Sequence, residues 1–154
     1  MRSILTKLSL GMAIMAIGAF AADNTIGTWK LNMAKSKFSP AAPVKSITNT
    51  REASEGGVKT TSTGELADGT AINASYTAKY DGKAYPVTGS PYDSIAIKQV
   101  DANTLTYTAK KKDGKYNVSG RMVIAKNGKT ATTTSKGINA QGQKYSATMV
   151  YDKQ

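Results

Sequence analysis

Ile72-Asn73-Ala74-Ser75-Tyr76-Thr77-Ala78-Lys79-Tyr80, followed at once by Asp81-Gly82, decides how this chain folds. Ile72, Ala74, Tyr76, Ala78 and Tyr80 occupy every second position, and the polar Asn73, Ser75, Thr77 and Lys79 fill the gaps. A period of two places alternate side chains on opposite faces of a β-strand. Asp-Gly accepts the positive φ of a tight hairpin, so the strand reverses there. The unit repeats along the chain. Leu105, Tyr107 and Ala109 oppose Thr106, Thr108 and Lys110. Tyr116, Val118, Gly120, Met122 and Ile124 share a face, as do Tyr145, Ala147, Met149 and Tyr151. Glu55-Gly56-Gly57, Asp68-Gly69, Asp113-Gly114 and Asn127-Gly128 supply further turns.

With no stretch of helical period, this pattern predicts strands over 25–32, 44–53, 57–65, 70–80, 83–87, 94–100, 104–111, 115–125, 129–138 and 143–152. Short turns between successive strands make an antiparallel up-and-down meander. An open meander of this length leaves two exposed edges, and closure removes both. The expected fold is therefore all-β, a meander closed into a barrel of about 8–10 strands. Trp29, Leu31, Ile47, Val58, Ile95 and Ile97 join the faces above as the inward set.

Two segments interrupt the pattern. In 34–43, Pro40 and Pro43 speak against a ladder, and the stretch reads as a lid or a crossing loop over one mouth. The segment from Pro86 to Tyr92 reads as a turn over the opposite rim or a gap in the sheet.

Residues 1–21 read as a cleaved signal peptide. Arg2 and Lys7 precede the uncharged run Leu8 to Phe20, and Ala19-Phe20-Ala21 places small residues where the cut before Ala22 needs them. The run is shorter than the roughly 20 residues of a spanning helix. The expectation is a periplasmic or secreted protein whose mature part, 22–154, is one barrel domain. Of 21 Lys and Arg, 19 remain after Arg2 and Lys7 go; against 10 Asp and Glu this leaves +9. The lysines are scattered, so no nucleic-acid partner is expected, although a cationic surface suits weak contact with an anionic envelope. There is no cysteine, hence no disulfide and no lipidated thiol, and the core alone must hold the domain.

There is no histidine either, so the commonest general base and zinc ligand are missing. No serine stands in a motif with a base, the acids cluster at hairpin turns, and Asp68-Gly69 and Asp81-Gly82 lack the spacing of calcium loops. No catalytic residue, metal ligand or cofactor is assigned, and the chain is not expected to be an enzyme. The inward set is rich in alanine, glycine and tyrosine, which leaves a wide barrel room for a small ligand. Trp29, Tyr76, Tyr107, Tyr116, Met149 and Tyr151 are the candidate ligand-binding residues: flat or flexible apolar area with hydroxyl tips for orientation. The expected function is non-enzymatic, extracytoplasmic binding of a small, mostly apolar molecule by a monomer. The competing expectation is a cationic envelope or secreted interaction protein with a filled core and no ligand. A lipid-facing outer-membrane barrel is disfavoured by the charged end Asp152-Lys153-Gln154 and the weak hydrophobicity of the apolar face.

Gly27-Thr28-Trp29-Lys30-Leu31 resembles the Gly-x-Trp opening of lipocalins and fatty-acid-binding proteins, and Val150-Tyr151-Asp152-Lys153 is similar to the last strand of the latter. Over its mature length the chain also resembles a group of small secreted bacterial proteins. Their hallmarks stand here as Gly27-Thr28-Trp29-Lys30-Leu31-Asn32, Tyr80-Asp81-Gly82-Lys83 and Tyr85-Pro86-Val87-Thr88-Gly89. The resemblance implies a calycin-type barrel and brings no activity. It also implies departures. Met149 stands where fatty-acid-binding proteins carry the arginine that meets the ligand carboxylate, and the helical cap of those barrels is replaced by 34–43. The arginine that stacks on the lipocalin tryptophan would here be Arg121 or Arg51.

Overall fold

A computed structural model describes residues 22–154; the segment read as a signal peptide lies outside the described residues. Ten antiparallel strands follow one another around a closed barrel: β1 (Gly27–Ser39), β2 (Val44–Ser54), β3 (Gly57–Leu66), β4 (Ala71–Lys79), β5 (Asp81–Thr88), β6 (Ser94–Asp101), β7 (Thr104–Lys110), β8 (Asn117–Ile124), β9 (Thr130–Ile138) and β10 (Lys144–Lys153). Each strand pairs with its neighbours in sequence, and β1 closes the ring against β10. The all-β meander expected from the period of two is the observed fold, and closure leaves no edge unpaired.

Alternation sorts the two faces as expected. Trp29, Leu31, Val58, Ile95, Ile97, Leu105, Met122 and Ile124 form the inner apolar cluster. Outward positions are Lys, Thr, Ser and Asn along most strands; Met33, Val100 and Val123 are the large apolar side chains exposed among the described residues.

The first irregular segment is shorter than the sequence suggested. β1 does not end near residue 32; its pairing with β10 slips between Asn32 and Lys37 and resumes through Lys37, Phe38 and Ser39. Local polar groups carry the ladder across this bulge. The Ser36 hydroxyl donates to the Asn32 carbonyl at 2.7 Å and accepts the Val150 amide at 2.9 Å. That side-chain oxygen takes the place of a backbone acceptor. Phe38 then packs on the core. The prolines interrupt only residues 40–43.

The second segment is also displaced from expectation. In a meander, every other connection lies at the same end. The connections at 40–43, 67–70, 89–93, 111–116 and 139–143 therefore share one rim. Pro86 and Val87 belong to β5, and Gly89 to Tyr92 stand at the same mouth as Pro40 to Pro43, not at the opposite rim. The sheet is thin here: β4 and β5 are paired only at Ser75 with Thr88 and Tyr76 with Val87.

The other end is closed by residues 22–26. The Asn24 amide donates to the Ala102 carbonyl at 2.8 Å, and the Asn24 side chain donates to Asn103 at 2.7 Å. The Trp29 indole N–H donates to the Thr25 carbonyl at 2.8 Å, which fixes the fully buried ring as a floor. The cation over that ring is Lys153, 5.3 Å from its centroid. The stacking arginine that the lipocalin resemblance implied is thus replaced by a lysine: Arg121 points outward and is exposed, and Arg51 turns into the barrel.

Candidate functional site

The barrel is not filled. A cavity of about 990 Å³ occupies its interior and reaches the rim formed by 40–43, 67–71, 89–92 and 139–143. The cause is composition. Ala74 and Ala109 face the chamber where larger aliphatics would meet across the barrel. All six candidate residues, Trp29, Tyr76, Tyr107, Tyr116, Met149 and Tyr151, belong to the wall of this one cavity.

Each side chain is placed by its strand. Tyr107 of β7 stands opposite Gly120 of β8, and the ring lies over the glycine. A Cβ at Gly120 would sit 2.5 Å from the ring, so only glycine permits this pose. Tyr116, the last residue of the connection before β8, stacks on Tyr92 with centroids 5.5 Å apart and planes inclined by 21°. This pair stands near the mouth. Tyr151 of β10 donates a weak hydrogen bond to the Met149 sulfur at 3.6 Å. Burial pushes the Tyr92 phenol up to about 12 and raises those of Tyr107, Tyr116 and Tyr151, so all are neutral donors at neutral pH.

The wall has two chemistries. β6, β7 and β8 present Ile95, Ile97, Leu105 and Met122 with Tyr107. β2, β3 and β4 present a polar band that follows from register. Arg51 pairs with Thr60, which pairs with Tyr76; one step nearer the mouth, Asn49 pairs with Ser62, which pairs with Ala74. Ser62 donates to Asn49 at 2.7 Å. At the next step Ile47 and Ile72 return the wall to apolar character.

Arg51 is the residue that composition and motif did not single out as a site. It is 7% exposed. Its Nη1 donates to the Thr60 hydroxyl at 3.4 Å and the Tyr76 hydroxyl at 3.3 Å, both long, while its buried Nε and Nη2 have no partner among the described residues. Burial works against its charge, but Tyr76, Tyr80 and Asp23 outweigh this and hold its pKa above the ordinary value. Asp23 does not pair with it directly. That carboxylate accepts the Tyr80 hydroxyl on one oxygen and the Thr25 amide, at 2.9 Å, on the other. The signal for Arg51 was available: Ile47, Asn49 and Arg51 share one face of β2 by the same period of two. Ser135 of β9 also lines the chamber, with a buried hydroxyl that has no partner among the described residues.

No cluster of three or more metal-ligating side chains occurs among the described residues, and no described helix is long and apolar enough to cross a membrane. A second, outer groove of about 610 Å³ lies over β8–β10 and the end of β1, with Lys37, Arg121 and Lys136 around it.

The fold and interior define a class: a closed ten-strand meander β-barrel with a mixed apolar and polar chamber open at one end. Neither the family models nor the curated proteins contain a match to the chain.

Proposed function

We propose that this protein is an extracytoplasmic, non-enzymatic binding protein that holds a small, mostly apolar ligand inside its barrel. The observation that carries the reading is the cavity of about 990 Å³, at the top of the size range of small-molecule sites. Its wall supplies aromatic and aliphatic area with a few convergent polar groups, the pattern such sites have. The residues assigned to the ligand are Trp29, Tyr76, Tyr107, Tyr116, Met149 and Tyr151. Export to the periplasm or the medium, as a monomer, rests on the reading of residues 1–21 and on the polar outer face of the strands; a spanning barrel carries an apolar band there.

A second reading has one observation in its favour. Lys37, Arg121 and Lys136 surround the outer groove, a cationic surface that suits weak adhesion to an anionic envelope or polysaccharide beside or instead of the chamber.

Titration with a neutral hydrophobic probe, followed by Trp29 fluorescence and native mass spectrometry, tests the first reading. A saturable change with one probe per chain is expected. A flat titration together with an unliganded mass would remove it. The adhesion reading requires binding to anionic vesicles that weakens with salt.

A further inference from the structure

Arg51 is more than part of the wall. We infer that its guanidinium is the anchor for the anionic head of the ligand, so that the chamber takes an amphipathic monoanion, a compact acid group on an apolar body, with the acid held deep. This rests on the proposed binding function and names its ligand class.

Three observations carry it. The first is cost without compensation. A guanidinium buried with an unpartnered Nε–Nη2 edge keeps the desolvation penalty and forgoes most of the return. Asp23, the carboxylate whose charge acts on it, already accepts from Tyr80 and Thr25. The second is chemistry. A planar fork with free donors is the group that binds carboxylate or a similar oxyanion in two parallel bonds, and Tyr76 and Thr60 stand beside it with hydroxyls able to donate to the same anion. The third is position. Arg51 lies four residues deeper on β2 than Ile47 at the mouth, about 13 Å of strand. Between them the wall changes from polar at Asn49 to apolar at Ile47 and, across the chamber, to the Tyr92–Tyr116 stack. A ligand with its acid on Arg51 would lay its apolar body along that path.

The position also differs from the one the fatty-acid-binding resemblance implied. The arginine there belongs to the last strand, where this chain has Met149; here the charge comes from β2, on the polar wall. Met149 then serves the ligand body.

Two probes matched except for one charge make the test. 1-Anilinonaphthalene-8-sulfonate carries an anionic head; N-phenyl-1-naphthylamine is the same body without it. Each is titrated into wild type and Arg51→Met, with mutual displacement to show a shared chamber. Wild type is expected to bind the sulfonate about tenfold or more tightly than the amine, and Arg51→Met to lose that preference while keeping the amine. Equal affinity of wild type for the two probes, or a preference unchanged in Arg51→Met, overturns the anion anchor and leaves the chamber reading standing. If wild type binds neither, the chamber reading fails and the anchor with it. Should Arg51→Met not fold, Arg51→Gln is read in its place, and the wild-type comparison alone can still overturn the proposal.

Discussion

Replacing Arg51 by methionine should make the protein more stable in ligand-free buffer, by about 2 kcal/mol. The magnitude follows from what the side chain gains and loses. Its two hydrogen bonds, at 3.4 and 3.3 Å, are near the limit of useful length and together are worth about 1 kcal/mol. Against them stands the burial of a charge whose Nε and Nη2 meet no acceptor. That penalty is several kcal/mol per ion, of which about 3 kcal/mol is left at pH 7, where the Tyr80 phenol that helps to hold the charge at high pH is neutral. Methionine keeps the apolar stem and discards the charge. For a domain of this size a gain of about 2 kcal/mol raises Tm by about 8 °C. The assay is thermal and urea unfolding at pH 7, followed by circular dichroism. An anionic ligand at about 100 times its Kd should add about 2.7 kcal/mol to wild type and little to the variant, so the order of stability reverses. If Arg51→Met melts at or below wild type in ligand-free buffer, the guanidinium is a satisfied structural group and the reasoning is refuted.

Other expectations follow from particular contacts. Val58→Ala, at a fully buried position on β3, should cost about 2–3 kcal/mol in urea unfolding, with unchanged probe affinity because the loss lies below the chamber. Gly120→Ala drives a methyl into the Tyr107 ring and should cost about 1–3 kcal/mol; in a Tyr107→Ala background most of that cost should vanish, which a double-mutant cycle reads directly. Tyr80 and Tyr92 are raised from about 10 to about 12, chiefly by burial. A folded pKa above the unfolded value favours the protonated phenol, so their contribution is complete below about pH 10 and is lost as pH climbs through about 12. Tyrosinate absorbance and Tm should therefore move together in that alkaline window, and Tyr92→Phe should shrink the drop in Tm.

Much of the fold was legible because the two strongest local signals agree. The period of two and the Asp-Gly and Asn-Gly turns place most strand ends within one or two residues of those observed, from Val44–Ser54 to Lys144–Lys153. What escaped had no local signal or needed a step of counting. The bulge at 33–36 depends on Ser36 meeting an amide of β10, far away in sequence. Ala131, Thr133 and Ser135 face inward on β9, yet that strand alternates only small and polar residues, so its faces look alike. The shared rim of 40–43 and 89–92 follows from the parity of a meander and not from either segment. Arg51 was hidden by chemistry: a charged residue is read as surface, and only strict alternation from Ile47 puts it inside. Trp29 was recognised as inward, but the floor it forms depends on the Thr25 carbonyl that holds it.

The proposed ligand enters the interior of the barrel and does not sit on its outer face. The most direct measurement is a two-dimensional amide NMR titration with N-phenyl-1-naphthylamine. Saturable shifts and intermolecular contacts are expected at inward residues Asn49, Tyr107, Val118 and Met149, with the outward neighbours of the Lys37, Arg121 and Lys136 groove unmoved. Shifts confined to that outer groove, or none at all, would contradict it.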